Sequence, residues 1–274
     1  MLLLLPPSEG KTAAPDGAAP VDLAALSHDD ALGAHRARVL DALARASAEP
    51  EATTTLGVGA SLAAEVARNT RLRAEPAAPA ALVYTGVLYA AAGLGRAVGD
   101  GLAATDDVRV LSGLWGAVAP GDRIPAYRLS MGVDLPGVGK LAATWRGPLG
   151  DALDARAAGD VVVDCRSATY AAAWRPRPGT AEWVSVRVVR EADGRRTVVS
   201  HNAKHTRGVL TGHLLRRAGA TPPSADALLA AARELEGAVI GTQVGSGLSY
   251  RLVAAALHPA RTRTAPATLE LVIA

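Results

Sequence analysis

Short apolar runs that end abruptly in polar or glycine-rich motifs constrain the fold of this sequence more than any other feature. The clearest runs are Leu2–Leu5, Val108–Leu111 and Val161–Asp164. Runs of this length and composition are typical of strands buried on both faces of a sheet. The motifs at the ends of predicted strands are Ser8–Thr12, Ser112–Gly116, Asp164–Ser167 and His201–Arg207. Because strand ends in sheet-based folds commonly converge on a cleft, the pattern predicts a polar site at one edge of the sheet.

The rest of the sequence alternates helical and extended patterns. Trp183–Arg190 and Arg196–His201 alternate around Asp193-Gly194, which is a strong hairpin signal. Further strands are predicted over Ala126–Met131 and Leu269–Ile273. Helices are predicted over 28–48 with Ser27 as N-cap, 61–72, about 140–157, 204–217 and 225–235. Together these elements predict a mixed α/β (α+β) fold, a mixed sheet with surrounding helices, in a single domain over 1–274 with a hairpin element near 126–157.

Composition narrows the core and the functional class. The chain has 274 residues, no Phe, five Tyr and four Trp, so its core must be built from Leu, Val and Ala. Cys165 is the only cysteine, which excludes a disulfide framework and a cysteine zinc site. The sequence has no membrane-length apolar run and no signal-peptide pattern, so we expect a cytoplasmic protein without membrane contact. A net charge of +3 permits phosphate binding without requiring it.

Lysine is scarce here, and its positions are therefore informative. Only Lys11, Lys140 and Lys204 occur among 29 Lys and Arg residues. Lys is a compact charge whose pKa falls on burial, whereas Arg stays charged, so a lysine kept against this bias is a candidate for amine chemistry or phosphate anchoring. The alternative is that any one of the three lysines is present by chance and has no chemical role.

Four common motif interpretations are weak. Gly10-Lys11-Thr12 lacks the upstream glycine of a P-loop, and Ser8 with Lys11 matches Ser-x-x-Lys only in spacing. His201 and His205 lie four residues apart without further metal ligands, so we predict no metal site and no cofactor. Cys165 beside Arg166 suits a lowered thiol pKa, although a lone buried cysteine is more common.

Two segments indicate phosphate binding. Pro136-Gly137-Val138-Gly139-Lys140 is a hairpin that opens a helix, and it is compatible both with helix-hairpin-helix contact to a DNA backbone and with a plain turn. The segment 187–217 is the most basic in the chain, and within it Lys204 and Arg207 follow Asn202 with a spacing that lets both reach one anion.

Taken together, these motifs resemble the YaaA family of peroxide stress proteins. The segments that carry the resemblance are 7–12, 84–89, 111–116, 120–132, 164–170 and 201–208, in the order of the family. The sequence departs from the family pattern at Val87, where many members have Asp, and at Asp164-Cys165-Arg166-Ser167, where Asn-Leu-Ala-Ser is more usual.

The resemblance implies a cytoplasmic protein tied to hydrogen peroxide resistance and to limiting free iron. It also implies an α/β fold with a positively charged cleft, a helix-hairpin-helix-like element and association with DNA. Lys11, Tyr127, Arg128, Lys204 and Arg207 match polar motif positions of the family and are expected in the cleft.

Two hypotheses follow. In the first, the protein binds duplex, distorted or single-stranded DNA, without an obligate protein partner. Its phosphate-binding candidates are Gly137, Gly139, Lys140, Arg128, Ser167, Asn202, Lys204 and Arg207. In the second, it is an enzyme on a nucleotide, nucleobase or damaged nucleic acid, with Lys11 or Lys204 as base or imine-forming nucleophile and Tyr127 or Tyr170 as proton donor.

Overall fold

The computed structural model describes residues 1–192, 194–198, 201–242 and 249–274. Its strands are β1 (Leu2–Leu5), β2 (Ala78–Pro79), β3 (Val108–Ser112), β4 (Gly116–Val118), β5 (Arg123–Ile124), β6 (Asp134–Leu135), β7 (Gly139–Lys140), β8 (Val161–Asp164), β9 (Glu182–Ala192), β10 (Arg195–Val198), β11 (Val239–Thr242), β12 (Ser249–His258) and β13 (Ala267–Ile273). Its helices are α1 (Asp29–Ala48), α2 (Ala52–Thr55), α3 (Ala63–Arg68), α4 (Ala80–Val83), α5 (Val87–Ala92), α6 (Leu94–Gly99), α7 (Leu141–Thr144), α8 (Arg146–Ala157), α9 (Ala168–Ala171), α10 (His201–Arg216) and α11 (Ala225–Arg233). Short 3₁₀ turns cover Ala60–Leu62, Asn69–Arg71 and Ala103–Asp107.

One mixed sheet dominates the described part of the chain, and it confirms the predicted fold class. Its strand order is β11-β12-β13-β9-β8-β1-β3-β4, with β10 paired to β9. The central strands β3, β1, β8, β9 and β13 run parallel, and antiparallel strands flank them. Because β1, β3 and β8 are parallel neighbours, the segments that follow them emerge at the same edge of the sheet.

The central strands form the core. Each residue of β1 is fully buried, as are Val161, Val162 and Val163 of β8. Complete burial requires an apolar side chain on both faces, which explains why these strands show continuous runs and no alternation. Helix α1 packs against α8, α10 against α5 and β9, and α11 against β12.

A buried arginine joins α1 to the end of the sheet. Arg36 is fully buried, and its guanidinium donates to the backbone oxygens of Trp115 (2.9 Å), Ser27 (2.6 Å) and Ala117 (2.7 Å). Burial lowers its pKa to about 10, and the carboxylates of Asp122 and Asp29 partly offset this. Since a planar fork can satisfy several carbonyls at once, Arg36 fixes where α1 begins relative to β4.

The helix start and one strand differ from expectation. His28, with a φ of 60°, caps α1 in place of Ser27, whose hydroxyl instead donates to Asp122 Oδ1 at 2.9 Å. The strand expected over Ala126–Met131 is not formed. The side-chain amide of Asn69 accepts from the Arg128 N–H and donates to the Arg128 oxygen, both at 2.9 Å, so one buried side chain supplies the pairing of a neighbouring strand.

Several other predicted elements are present with shifted bounds. The predicted helix 61–72 is divided between α3 and two 3₁₀ turns, and 140–157 is divided between α7 and α8. The predicted hairpin forms between β9 and β10, while Asp193 of its turn lies outside the described residues. No described helix combines the length and apolar character needed to cross a bilayer.

Candidate functional site

A cavity of about 330 Å³ opens at the edge where the parallel strands end. The loop after β1 lines one side, and residues after β8, the start of α5 and the first turns of α10 line the others. Its lining residues are Pro6, Pro7, Ser8, Glu9, Gly10, Gly86, Val87, Leu88, Tyr89, Cys165, Ser167, Tyr170, Lys204 and Arg207. Three of the four strand-end motifs therefore supply lining residues, and Ser112–Gly116 supplies none.

Ser8 brings an unsatisfied hydroxyl to this cavity. The residue is 7% exposed, and its Oγ has no hydrogen-bond partner among the described residues. A Cβ at Gly86 would overlap this Oγ, so the glycine leaves the space that the hydroxyl fills. An unpaired buried hydroxyl costs about 1–3 kcal/mol, and such a cost is expected where a ligand supplies the partner.

Two cations on α10 face the same cavity. Lys204 is exposed, and Arg207 is half-buried, with its Nε and Nη2 donating to the Val186 oxygen at 3.1 and 2.8 Å. These bonds hold the guanidinium plane against β9 and leave its remaining N–H donors unengaged by the described residues. The cavity therefore combines fixed positive charge with hydroxyls from Ser8 and Ser167. We call this set (Ser8, Ser167, Lys204, Arg207) the cavity side.

Glycines position α10 against α5. A Cβ at Gly208 would overlap the Leu88 oxygen, and one at Gly212 would lie 2.8 Å from the Ala92 oxygen. Arg216 closes the contact by donating to the oxygens of Ala92 (2.7 Å) and Gly93 (2.6 Å) at the end of α5. This close packing sets where Lys204 and Arg207 stand relative to the loop after β1.

A packed polar network adjoins the loop after β1, and none of its residues lines the cavity. Ser112 Oγ accepts from the N–H groups of Leu114 (3.1 Å) and Trp115 (3.0 Å), so its hydrogen is directed to the Tyr127 hydroxyl at 2.6 Å. Tyr127 is thereby set to donate to Tyr84 at 2.9 Å. Burial raises the pKa of both phenols well above the usual range, so both are neutral at physiological pH. We call this set (Lys11, Tyr84, Ser112, Tyr127) the tyrosine side.

Lys11 is wedged into the tyrosine side. Its Nζ donates to the Ser8 oxygen (2.7 Å) and lies 4.4 Å from the Tyr127 ring centroid. A bridge with Tyr84 fixes its backbone. Burial lowers the pKa of Lys11 to about 8, the Arg128 charge adds to this, and Glu9 and Glu65 oppose it. A compact amine fits between a carbonyl and an aromatic face, which gives a structural reason for Lys at this position.

Arg128 is engaged by two carboxylates. Its Nη1 donates to Glu9 Oε2 at 3.1 Å, and its Nε and Nη2 both donate to Glu65 Oε2. The side chain is buried. Arg128 was predicted to bind phosphate, but its guanidinium is already paired with the carboxylates of Glu9 and Glu65.

The segment that departs from the family pattern is explained by a buried ion pair. Arg166 Nε and Nη2 donate to the two carboxylate oxygens of Asp164 at 2.8 and 2.7 Å, and Trp183 Nε1 donates to Asp164 at 3.1 Å. Arg166 is therefore turned away from Cys165, and burial raises the pKa of the Cys165 thiol to about 12. The alternative of a lowered thiol pKa is wrong, because the cation beside the cysteine pairs with a carboxylate.

The glycine hairpin stands apart from this cavity's lining. Gly137 and Gly139 have φ of +80° and +99° between β6 and β7, and Lys140 is exposed at the start of α7. The Gly137 oxygen accepts from Arg38 Nη2 at 3.1 Å. Residues 125–133 contain no helix, so the structure does not support a helix-hairpin-helix at this position.

The remaining candidates fall at different distances from the cavity. Ser167 is exposed and lines it, and Tyr170 lines it with a pKa that burial raises to about 12. Asn202 is half-buried in the first turn of α10, outside the lining set. Among the described residues, no group of His, Cys, Asp and Glu is arranged to hold a metal ion. Ser8 was named from the sequence only in the strand-end motif Ser8–Thr12 and in the Ser-x-x-Lys spacing, and it was not among the predicted site residues.

Comparison with known proteins agrees with the motifs. A family model described as "Peroxide stress protein YaaA" matches residues 1–231, which include every residue lining the cavity. A UPF0246 protein of Streptomyces coelicolor is 45% identical over 241 residues, covering 86% of this chain and 90% of that protein. A UPF0246 protein of Corynebacterium efficiens is 40% identical over 216 residues, covering 77% and 83%. The chain therefore belongs to the YaaA family of peroxide stress proteins.

Proposed function

We propose that this peroxide stress protein binds DNA at the cavity side and protects or recognises damaged DNA. The observation that carries the proposal is the pair Lys204 and Arg207, one turn apart on α10, at a cavity that also holds the unpaired Ser8 hydroxyl. Two cations and a hydroxyl donor match the oxygens of a backbone phosphate.

Salt dependence tests this proposal. We expect fluorescence anisotropy to detect binding of single-stranded, bubble or duplex DNA at about 50 mM salt and a steep loss of affinity by about 200 mM, because phosphate contacts release counterions. Lys204→Gln should weaken binding and reduce the salt slope by about one unit. Absence of binding at low salt, or binding insensitive to salt, would contradict the proposal.

Lys140→Gln is the informative comparison for that experiment. It removes the same charge from an exposed lysine on the hairpin, outside the lining of the cavity. A hairpin that also contacts the phosphate backbone predicts a similar loss for Lys140→Gln. If only Lys204→Gln weakens binding, the DNA contacts the cavity side alone.

Lysine-dependent chemistry is a second candidate function, and the lowered pKa of Lys11 favours it. With a pKa of about 8, a substantial fraction of the amine is neutral near physiological pH and able to attack a carbonyl. On an aldehyde of damaged DNA, the amine nitrogen would bond to the carbonyl carbon, and loss of water would give an imine. Tyr170 remains a protonated phenol at neutral pH and lines the cavity with Lys204, so it is the candidate proton donor for the same chemistry at Lys204.

Borohydride trapping tests the second candidate. Reduction of the imine would leave a stable adduct, and peptide mapping would assign it to Lys11 or Lys204. Lys204→Arg keeps the charge at an exposed position and would remove only amine chemistry there. No adduct on aldehyde-containing DNA, together with a fully active Lys204→Arg and Lys11→Arg, would count against catalysis.

A further inference from the structure

The lining of the cavity divides into two chemical classes, which restricts what fills it. Lys204 and Arg207 supply positive charge, Ser8 and Ser167 supply hydroxyls, and Glu9 adds a carboxylate that is paired with Arg128. The remaining surface is mostly apolar or aromatic and comes from Pro6, Pro7, Val87, Leu88, Tyr89 and Tyr170. A ligand that satisfies both classes carries an anionic group and a flat, partly apolar body.

The cavity is too small to hold a DNA duplex with its bases stacked. At about 330 Å³ it lies at the small end of ligand pockets, which suits one nucleotide-sized unit. A base inside a duplex is covered by its neighbours on both faces, so it has to leave the stack before it can enter a concave site. Free nucleotides and unpaired nucleotides of a damaged strand meet this condition without that cost.

Ser8 indicates a polar edge on the ligand. Its buried Oγ can both donate and accept, and the described residues provide it with neither partner. Gly86 keeps the hydroxyl in place, because any larger residue there would displace it. Ser8 and Gly86 both line the cavity, so this hydroxyl is the candidate partner for a base edge or a sugar oxygen.

We infer that the cavity takes a single unstacked nucleotide. Its phosphate contacts Lys204 and Arg207, its base packs against Tyr89 and the apolar residues, and Ser8 bonds a polar edge of the base or sugar. This inference rests on the proposed DNA binding for its biological context, and it adds that recognition acts on one extruded or unpaired nucleotide.

Calorimetry with small probes tests the cavity without DNA. The probes are the four 2′-deoxynucleoside 5′-monophosphates, the matching nucleosides and inorganic phosphate. We expect at least one monophosphate to bind at least tenfold more tightly than its nucleoside and than phosphate alone. Ser8→Ala should weaken that binding about tenfold, the loss of one hydrogen bond. Thr206→Val is the control, because it removes a second buried, unpaired hydroxyl that does not line the cavity, and it should leave affinity unchanged.

A DNA experiment separates the two proposals. A duplex carrying 2-aminopurine at a mismatched position should gain fluorescence on binding as the base leaves the stack, and Ser8→Ala should reduce that gain. Salt-dependent DNA binding with no monophosphate binding and no effect of Ser8→Ala would overturn the nucleotide inference and leave the proposed function standing. Monophosphate binding without any DNA binding would overturn the proposed function and leave the cavity assignment standing. Binding of neither would overturn both.

Discussion

Two polar regions adjoin the loop over residues 6–11 and differ in character. On the tyrosine side, hydroxyls are buried and paired, and Lys11 is held by carbonyl oxygens and ring faces. On the cavity side, Ser8 is equally buried yet unpaired, and Lys204 is exposed. The difference teaches that burial of a polar group alone does not identify a binding site. A missing partner beside open space is the more specific sign.

The largest expected effect is a loss of stability when the contact between α10 and α5, which positions the cavity side, is disrupted. Gly208→Ala would drive a methyl group into the Leu88 oxygen, so we expect a loss of about 3 kcal/mol in the free energy of unfolding, measured by urea denaturation. DNA binding should fall with it, since α10 carries Lys204 and Arg207. Gly150→Ala in α8 is the control, because the nearest atom to its Cβ is the end of the Asp154 side chain at 3.7 Å, and it should gain about 0.5–1 kcal/mol. Equal effects at the two glycines would contradict this account of the packing.

Alanine substitution of one buried serine on each side compares the two regions directly through the free energy of unfolding. Ser112→Ala removes an acceptor for two buried N–H groups and the donor to Tyr127, so we expect a loss of about 2 kcal/mol in the free energy of unfolding. Ser8→Ala deletes a hydroxyl that has no partner, so stability should stay within about 0.5 kcal/mol of the parent or increase. If Ser8→Ala costs as much as Ser112→Ala, the two sides do not differ as described.

The lysines of the two sides should differ in the pH dependence of stability. The folded pKa of Lys11, about 8, lies below the ordinary 10.5, so between these values the unfolded chain binds more protons. Stability contributed by Lys11 therefore rises with pH, by about 1 kcal/mol from pH 8 to pH 9, and the penalty for burying the charged amine is complete below pH 8. Thermal unfolding of Lys11→Met should lack this rise.

Lys204→Met is the matched variant for that experiment, because it removes an exposed lysine. It should keep the rise of the parent protein. Measurements should stop near pH 10, where the buried tyrosines, whose pKa values are raised, begin to favour unfolding. A parent curve that is flat between pH 8 and pH 9 would show that Lys11 titrates normally.

The smallest expected effect is the reactivity of the Cys165 thiol. Cys165 is among the residues that line the cavity, but it is fully buried. Burial raises the pKa of its thiol to about 12, so the nucleophilic thiolate is scarce at neutral pH. We expect no reaction of the native protein with a thiol reagent over the time in which the denaturant-unfolded chain reacts completely. Rapid labelling of the folded protein would place Cys165 in open contact with solvent.

The sequence predicted the central strands of the sheet better than it predicted which polar side chains pair with one another. Leu2–Leu5 and Val161–Asp164 agree with β1 and β8 residue for residue, because full burial on both faces favours continuous apolar runs, and the one charged residue, Asp164, is paired with Arg166. The strands β11 and β12 were not predicted. Residues 249–258 of β12 are alanine-rich and carry little β-propensity of their own, so neighbouring strands decide their conformation.

The sequence indicated which loops lie together, and their use as a functional site stays a prediction. The convergence of the loops after β1 and β8 follows from parallel neighbours in one sheet, which an alternation of strands and helices indicates. The partners of Arg128 do not follow from spacing, since Glu65 and Glu9 lie far away in sequence from Arg128. Only the folded arrangement shows which cations are already neutralised and which face open space.

The three lysines occupy three separate environments: Lys11 is packed against the Ser8 oxygen and the Tyr127 ring, Lys204 is exposed in the lining of the cavity, and Lys140 is exposed on the hairpin of β6 and β7. An amine-acylating reagent would therefore give three side-chain products that mass spectrometry can tell apart. Acylation of Lys204 would report occupancy of the cavity, acylation of Lys11 would report opening of the loop, and Lys140 would calibrate the dose. Because all other basic side chains of the Lys and Arg type are arginines, these three lysines alone would report side-chain acylation, each from a different environment.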